Sequence, residues 1–326
     1  MQRHEYDESL LESFRYIQAI PGKDVRGQLI DCFQLWFHAP DDKVQVVKSI
    51  ISDLHNASLL VDDIEDRSVL RRGVPVAHSV FGVPVVINTA NYMYFRALEQ
   101  CHALQCPESM NVFVSELLNL HRGQGRDIQW REDQKCPTQE QYMQMILDKT
   151  GGLFRLAVGM LQPLATSQEA VTADYVPLIN DLSIYFQIRD DLLNLVDTDT
   201  FHLKSFAEDL TEGKFSYPVV HNLQMTEQRM NETKQRDTRI LSILMQRTND
   251  VEVKRYAIEI MRQEGSLLHT REMCREYLMR SLAEIEKLGG NPGLLKLIGM
   301  LDQKLVELDE KGVLLPDRPP EAAAVS

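Results

Sequence analysis

Four acidic residues follow a run of small and apolar residues in NASLLVDDIEDRSVLRRG, residues 56–73. On a helix, Asp62 and Asp66 lie four residues apart and share one face. Glu65 lies close to that face, and Asp63 lies on its flank. Carboxylates this close repel one another, whereas a hard cation such as Mg²⁺ takes oxygen ligands and shares its shell with phosphates. The cluster is a candidate magnesium site, and a solvated acidic helix end is the alternative that this segment alone leaves open.

A second acidic cluster repeats this design in YFQIRDDLLNLV, residues 185–196. Asp190 and Asp191 are paired there, and Asn194 lies four residues after Asp190. Acids embedded between apolar segments are costly to bury unless a partner compensates their charge. Two such clusters that face each other across a helical cavity would hold several Mg²⁺ ions around one diphosphate. The second cluster therefore favours the metal site over the solvated helix end.

Composition limits the classes of function. The chain has 326 residues, 44% of them hydrophobic, and no apolar run near the roughly 20 residues that a membrane span requires. Its net charge of −13 argues against nonspecific nucleic-acid binding and against an anionic membrane surface. An anionic ligand must therefore bind at a local site, through metal ions or a few placed basic residues.

The N-terminal sequence MQRHEYDESLLESF lacks the features of a signal or transit peptide. Five scattered cysteines fit neither a disulfide framework nor a zinc spacing: Cys32, Cys101, Cys106, Cys136 and Cys274. These features predict a cytoplasmic protein with reduced thiols.

Apolar residues recur at helical spacing nearly everywhere, and strand alternation is missing, which predicts an all-α fold. The predicted helices cover about 10–20, 25–37, 41 to 62–66, 84–105, 108–132, 138–164, 170–197, 217–224, 238–264, 267–288 and 294–310. Length alone suggests two domains, but the chain has no linker rich in Gly, Pro or Ser and no repeat. We therefore expect one domain over residues 1–310 and a flexible C-terminal tail over 311–326.

Several motifs, taken in order, resemble the trans-isoprenyl diphosphate synthase family, and most of all the eukaryotic geranylgeranyl diphosphate synthases. Besides the two acidic clusters, these motifs are GKDVR, LRRG, KTGGL, FQIRDD and DLTEGKFSYP. The resemblance covers about residues 5–305. It implies a single-domain isoprenoid synthase fold with antiparallel helices around a deep central cavity, and a homodimer or higher homo-oligomer.

The resemblance also implies an activity. Members of the family are Mg²⁺-dependent prenyltransferases that condense isopentenyl diphosphate with an allylic diphosphate (dimethylallyl, geranyl or farnesyl). The expected products are geranylgeranyl diphosphate and pyrophosphate. Up to three Mg²⁺ ions per subunit are expected on Asp62, Asp63, Asp66, Asp190, Asp191 and Asn194. Asn194 stands where the family often has Asp, so it removes one charge and leaves a neutral oxygen for the third metal.

The family's two substrate sites carry over onto basic and polar residues. Isopentenyl diphosphate is expected to bind Lys23, Arg26, His55 and Arg72. The allylic diphosphate is expected to bind Arg71, Lys149, Thr150, Gln187, Lys204 and Lys214, of which Lys149, Thr150 and Gln187 are the candidate catalytic residues. A solvated helix start is the alternative for Lys23 and Arg26. For KTGG the alternative is a helix break, or a close helix crossing that Gly151 and Gly152 permit.

Product length is expected to depend on residues that line the cavity. Relatives that make farnesyl diphosphate carry bulky aromatics at positions that match Ala57 and Ser58, which are small here. The cavity should therefore stay open beyond fifteen carbons. Tyr94, Phe95 and His121 resemble the residues that stop growth at twenty carbons, with ordinary core packing as the alternative for Tyr94 and Phe95.

Three other functions remain as alternatives. A farnesyl diphosphate synthase is disfavoured by Ala57 and Ser58. A terpene cyclase, which is a lyase, needs no second phosphate site, and the residues after Asp191 lack the Ser/Thr and Glu pattern of that class. A silent partner subunit is disfavoured by the intact set of acids and basic residues.

Overall fold

The computed structural model describes residues 8–20, 22, 24–197, 206–234 and 237–315. Helices make up almost all regular structure in these ranges, so the predicted all-α fold is confirmed. The helices are α1 Glu12–Gln18, α2 Val25–Phe37, α3 Asp41–Glu65, α4 Ala77–Phe81, α5 Val83–Ala103, α6 Pro107–Asp133, α7 Gln139–Leu161, α8 Gln168–Thr172, α9 Val176–Val196, α10 Glu208–Glu212, α11 Tyr217–Thr233, α12 Arg239–Gln246, α13 Val251–Gln263, α14 Ser266–Lys287 and α15 Pro292–Glu310. A 3₁₀ turn, Gln162–Leu164, follows α7.

A two-stranded hairpin was absent from the sequence prediction. Strands β1, Leu70–Arg71, and β2, Val74–Pro75, pair antiparallel between α3 and α4. Arg72 and Gly73 turn the chain with φ values of 53° and 85°, which is the geometry of a tight two-residue hairpin. Two-residue strands are too short for an alternating pattern to be recognised in the sequence.

Two predicted helices are divided in the structure. The segment predicted as 238–264 forms α12 and α13, because Arg247 adopts a left-handed conformation with φ 49° and ends α12. The Asp250 side chain then accepts from the amides of Glu252 and Val253 and starts α13. The segment predicted as 170–197 likewise forms α8 and α9, and α9 begins only at Val176, with proline in its first turn.

Helix α7 lies between α6, α9, α3 and α2 and organises the main core. It is continuous through Gly151 and Gly152, so the KTGG motif does not break the helix. A Cβ at Gly152 would lie 3.1 Å from the carbonyl oxygen of Glu116 on α6. Of the two alternatives for the KTGG motif, the structure therefore shows the close crossing, which lies between α7 and α6.

A smaller apolar cluster joins α1, α3, α4 and α5. Its buried members are Phe14, Ile17, Ala57, Leu60, Ala77, Val86, Ala90 and Met93. We call these residues the α1 cluster. The cluster packs α1 against the C-terminal half of α3, which is the helix that carries the first acidic motif.

At the C-terminus, the side chain of Leu314 is 2% exposed and belongs to the main core. The first residues of the predicted tail therefore pack against the domain, and residues 316–326 lie outside the described ranges. Of the described helices, none combines the length and apolar character needed to traverse a bilayer.

Candidate active site

Asp62 lies in the last turn of α3, where basic and amide groups from three other segments meet it. Gln124 Nε2 on α6 donates to Asp62 Oδ1 at 3.1 Å. Lys149 Nζ on α7 lies 3.9 Å from the same oxygen, and Arg71 Nη2 lies 3.7 Å from Asp62 Oδ2. The Asp62 side chain is 27% exposed, so its oxygens remain accessible to a ligand.

Asp63 has a different environment from Asp62. It is 1% exposed, and its Oδ1 accepts from Arg71 Nε at 2.9 Å and also from Nη2 of the same guanidinium. Its Oδ2 is buried without a hydrogen-bond partner. Burial raises the pKa of Asp63, and the charge of Arg71 offsets this only in part. Asp63 therefore pairs with the hairpin and does not join the face that Asp62 and Asp66 share.

Asp66 is held by a buried cation from α6. Arg131 Nη1 lies 2.6 Å from Asp66 Oδ1, although the contact lacks the alignment of a hydrogen bond. Burial and the charge of Asp62 raise the pKa of Asp66 to about 6. Two nearby carboxylates with one raised pKa are the electrostatic situation that a divalent cation relieves.

The sequence prediction missed Asp127, which is 3% exposed on α6 and accepts from Lys149 Nζ at 2.8 Å. Burial acts to raise the pKa of Asp127, but the charges of Lys149 and Arg131 outweigh it, so the pKa is lowered and the group stays ionised. A signal existed in the sequence, because Gly123, Asp127 and Arg131 recur every four residues along one face of the helix.

In the second cluster, Asp191 is the buried member. It is 1% exposed and accepts from Gln187 Nε2 at 3.0 Å, Lys214 Nζ at 3.0 Å and the Tyr217 amide at 2.9 Å. The Tyr142 hydroxyl donates to it as well. Tyr142 and Tyr217 were not among the predicted site residues. Four donors therefore saturate Asp191 from α7, α9 and the segment around the start of α11.

Asp190 and Asn194 have more open surroundings. The Asp190 side chain is 46% exposed, and Arg189 Nη1 donates to it at 2.8 Å. Asn194 Oδ1 accepts from the amide of Asp209 at 3.2 Å. Asp190 is thus the carboxylate of this cluster that remains available to a ligand.

Polar residues from α7 and α9 connect the two clusters. Thr150 donates to Gln187 Oε1 at 2.6 Å, and Gln187 in turn donates to Asp191. Burial acts to lower the pKa of Lys214, but Asp191 and Asp209 raise it well above its usual value, so Lys214 is charged. The structure therefore brings Lys149, Thr150, Gln187 and Lys214 together between the clusters, while Lys204 lies outside the described residues.

A separate basic group forms at the start of α2. Arg26 Nη1 lies 3.3 Å from His55 Nε2, and Arg26 Nε is buried without a partner. Burial lowers the pKa of Arg26 to about 10. Burial, and then the charges of Arg26 and Arg72, lower the pKa of His55 to about 2, so the imidazole is neutral. Lys23, predicted for this group, lies outside the described residues.

Arg72 reaches the same region from the hairpin. Its Nη1 donates to the carbonyl oxygen of Ile20 at 2.5 Å, and a Cβ at Gly22 would lie 2.5 Å from its Nη2. Glycine at position 22 therefore leaves the space that the guanidinium occupies.

The residues predicted to set product length are only partly brought together. The rings of Tyr94 and His121 lie 5.7 Å apart, but the Phe95 side chain is 70% exposed and lies away from them. Ser58 is half-buried, and its hydroxyl donates to the carbonyl of His55 at 2.8 Å. Ala57 is fully buried in the α1 cluster.

The donor set fits a hard cation that is shared with a ligand. Asp62, Asp66 and Asp190 offer carboxylate oxygens, and one buried oxygen of Asp66 lacks a hydrogen-bond partner. Within the described part of the chain, no three histidine, cysteine, aspartate or glutamate side chains lie close enough to hold a metal ion on their own. A cation here would need further oxygens from a ligand or from water, which is the usual coordination of Mg²⁺ at phosphates.

Comparison with known proteins agrees with this geometry. The family model described as polyprenyl synthetase matches residues 7–261. A geranylgeranyl pyrophosphate synthase of Mucor circinelloides f. lusitanicus is 46% identical over 292 residues, which cover 90% of this chain and 92% of that protein.

Two further relatives cover similar lengths. A geranylgeranyl pyrophosphate synthase of Dictyostelium discoideum is 43% identical over 300 residues, 92% of this chain and 95% of that protein. A protein of Matsumurasca onukii named terpene synthase is 46% identical over 288 residues, 88% of this chain and 91% of that protein. The chain belongs to the polyprenyl synthetase family.

Proposed function

We propose that this chain transfers prenyl groups, condensing isopentenyl diphosphate with an allylic diphosphate to give geranylgeranyl diphosphate and pyrophosphate. One observation carries the proposal: next to the acidic clusters lies a second, predominantly basic group that is suited to a diphosphate without metal. Two phosphate sites of different design would suit two phosphorylated substrates.

The charge of the basic group is compensated only in part. Arg26 is half-buried, and its buried Nε has no partner. The charges of Asp190 and Asp24 act on it from a distance, but no described carboxylate forms an ion pair with it. Its neighbour His55 is neutral, so it does not cancel the charge. A guanidinium whose buried nitrogen lacks a hydrogen-bond partner is costly, and an anionic ligand would supply that partner. Isopentenyl diphosphate is the ligand that we assign to Arg26, His55 and Arg72, with Lys23 expected beside them.

The allylic diphosphate is assigned to the acidic side. Asp62, Asp66 and Asp190 would hold magnesium together with the diphosphate oxygens, and bound magnesium would supply Lewis acidity that draws charge from the leaving group. The resemblance also carries Asp63, Asp191 and Asn194 as ligands. Asp191 is saturated by four donors, so we assign it to positioning Lys214 and Gln187.

Side chains of the chain itself stabilise the separating charges. Arg71, Lys149 and Lys214 present positive charge to the diphosphate as its bond to carbon breaks. We assign Thr150 and Gln187, whose oxygens share a 2.6 Å hydrogen bond, to stabilising the carbon that becomes positive. Asp127 holds Lys149 in place through a 2.8 Å hydrogen bond. Such preorganised groups lower the barrier because they need no reorientation during the reaction.

Twenty carbons is the product length that the wall residues favour. Ser58 is small and half-buried, so it leaves room where a bulky residue would close the cavity after fifteen carbons. Tyr94 and His121 are paired further along and form the proposed floor. The names of the Mucor and Dictyostelium relatives support the same product.

A homodimer or a higher homo-oligomer is the assembly that we propose. Large apolar side chains remain exposed along α5 and α6, in particular Val85, Phe95, Val114 and Leu118. Helices α5 and α6 contact each other, so these exposed side chains lie on neighbouring helices. Exposed large apolar side chains gathered on neighbouring helices are typical of an interaction surface.

The test is incorporation of radiolabelled isopentenyl diphosphate by purified protein in Mg²⁺, with dimethylallyl, geranyl or farnesyl diphosphate as primer. A twenty-carbon main product is expected, and a fifteen-carbon main product from dimethylallyl diphosphate would identify a farnesyl diphosphate synthase instead. Arg26→Gln should raise the KM for isopentenyl diphosphate by tenfold or more, on the order expected for a buried charge-assisted contact, and leave the KM for farnesyl diphosphate nearly unchanged.

A lyase is the second candidate, because the Matsumurasca relative is named terpene synthase. The discriminating measurement is pyrophosphate release from an allylic diphosphate alone. A lyase releases pyrophosphate without isopentenyl diphosphate, whereas the proposed transferase requires it.

A further inference from the structure

Arg189 on α9 makes two contacts that the proposed function does not use. Its Nη1 donates to Asp190 Oδ1 at 2.8 Å, and its Nε donates to the carbonyl oxygen of Leu301 on α15 at 2.6 Å. The Arg189 side chain is 5% exposed. Adjacent residues of a helix do not face each other, so only a long side chain that folds back reaches the carboxylate of its neighbour. Arg189 therefore joins the second acidic cluster to the C-terminal helix.

Helix α15 is itself held firmly against α9. The hydroxyl of Tyr185, one turn before Arg189 on α9, donates to Asp302 Oδ1 at 3.0 Å. Arg271 on α14 donates to both oxygens of Asp302, at 2.9 Å and 3.2 Å. Tyr185, Arg271 and Asp302 are all buried. The carbonyl of Leu301, the residue before Asp302, is therefore a fixed acceptor for Arg189.

Asp190 needs such a contact to hold one orientation. Its side chain is 46% exposed, so the surrounding packing constrains it little. An exposed side chain samples several rotamers, and a ligand that orders it must overcome the lost entropy. The hydrogen bond from Arg189 occupies Oδ1 and leaves Oδ2 available to a cation. The carboxylate is therefore oriented before a ligand arrives.

We propose that Arg189 is a positioning residue, which ties Asp190 to the backbone of α15 and so orients the carboxylate for a divalent cation. This inference rests on the proposed function, in which Asp190 holds magnesium together with the allylic diphosphate. Outer contacts that orient a metal ligand commonly change metal affinity by about tenfold or more. Helix α15 contributes to the candidate active site through this link.

The charge of Arg189 predicts an effect of the opposite sign. A guanidinium beside a cation site repels the cation, so its removal would strengthen magnesium binding if charge alone mattered. Removal of a positioning contact would weaken magnesium binding instead. The direction of the change in affinity therefore separates the two roles.

Arg189→Met is the decisive variant, because it keeps a long side chain but removes the charge and both donors. Replacement of a buried charge by an apolar side chain of similar size is often tolerated by the fold. We expect the affinity for inorganic pyrophosphate at a fixed Mg²⁺ concentration, measured by calorimetry, to fall about tenfold. The fitted stoichiometry reports the folded fraction, so partial misfolding does not imitate a weaker affinity. An unchanged or stronger affinity would overturn the inference.

Tyr185→Phe is the matched control, because it removes the other hydrogen bond between α9 and α15 and leaves Asp190 untouched. This variant should melt at a lower temperature than wild type, with its pyrophosphate affinity in Mg²⁺ within about twofold of wild type. If Tyr185→Phe weakened binding as much as Arg189→Met, the docking of α15 as a whole would hold the site. The bond from Arg189 to Asp190 would then have no role of its own.

A double-mutant cycle tests whether Arg189 acts through Asp190. In the Asp190→Ala background, Arg189→Met should change the pyrophosphate affinity by less than about twofold, because the carboxylate that it orients is already gone. Independent, multiplicative effects of the two substitutions would contradict the proposal.

Incorporation of radiolabelled isopentenyl diphosphate by the same proteins separates this inference from the proposed function. Weaker pyrophosphate binding in Arg189→Met would support the positioning role even if wild type incorporated no isopentenyl diphosphate. Equal affinities of wild type and Arg189→Met would overturn the positioning role even if wild type were fully active. A wild-type protein that failed to bind pyrophosphate in Mg²⁺ would also overturn it.

Discussion

Gly123 on α6 lies against the backbone of Lys149 on α7. A Cβ at position 123 would lie 2.4 Å from the Lys149 amide nitrogen and 2.8 Å from its Cβ. Real Cβ atoms do not approach this closely, so the two helices can meet here only at glycine. The contact brings Lys149 Nζ within 2.8 Å of Asp127, one turn further along α6.

Gly123→Ala should therefore separate α6 from α7 at the candidate active site. We expect a loss of about 1–3 kcal/mol in the free energy of unfolding, as for other overpacked sites, and a tenfold or larger fall in kcat/KM. Urea unfolding and steady-state kinetics measure the two effects.

Gly125→Ala is the matched control, because position 125 is exposed on the same helix and no atom lies within 4 Å of a Cβ there. Alanine at this site should stabilise the protein by about 0.5–1 kcal/mol. If Gly123→Ala were as stable and active as Gly125→Ala, the close crossing would have no role in placing Lys149.

Asp190 and Asp191 are adjacent in sequence but should respond differently to substitution. Asp191→Asn leaves Tyr142, Lys214 and the Tyr217 amide without their common acceptor charge, so we expect it to destabilise the fold by about 3 kcal/mol. Asp190→Asn removes one charge from a half-exposed side chain but keeps an oxygen that can accept from Arg189, so the melting temperature should fall less than in Asp191→Asn while the Mg²⁺ concentration for half-maximal activity rises.

Thermal melts and Mg²⁺ titrations of activity provide the comparison. Equal melting temperatures for the two variants would show that the donors around Asp191 do not stabilise the fold.

Ser58 and Ala57 are adjacent in sequence but lie in different environments in the structure. Ser58→Phe should fill space beside the half-buried hydroxyl and shift the main product to fifteen carbons. Ala57 is fully buried in the α1 cluster, so Ala57→Phe should overpack α3 against α1 and α5 and cost about 1–3 kcal/mol of stability. Product chromatography and urea unfolding distinguish the two outcomes, and a stable Ala57→Phe variant that makes a fifteen-carbon product would contradict this assignment.

The buried environment of His221 predicts that the folded state loses stability in acid. Its ring stacks on His269 with centroids 4.0 Å apart, and burial together with the charge of His269 lowers its pKa from 6.5 to about 4. Between these values the unfolded chain binds a proton that the folded chain does not, so stability falls as the pH decreases from 6.5 to 4 and is unaffected above 6.5.

His221→Asn removes this titration and keeps a nitrogen near the Ser266 hydroxyl, which lies 3.0 Å from Nδ1. The stability lost between pH 7 and pH 4.5 should be smaller in the variant by on the order of 1 kcal/mol. His102→Asn, at an exposed site, should behave as wild type. Identical pH slopes in urea unfolding would remove His221 as the cause.

The sequence alone determined the helices and the acidic faces. Helical periodicity is a local property, so the spacing of apolar residues predicted α2, α3 and α14 closely, and the four-residue spacing put Asp62 and Asp66 on one face. Helix breaks at single left-handed residues, such as Arg247, escaped prediction because non-glycine residues rarely adopt that conformation.

Only the tertiary structure decided which acids remain available to a ligand. Asp62 and Asp63 are neighbours in the chain, yet one is accessible and the other is enclosed by Arg71. Asp191 is saturated by donors from positions as distant as Tyr142 and Tyr217. A hydrogen-bond partner brought in from another helix cannot be read from local spacing, because the packing of the whole domain determines which donor reaches each carboxylate.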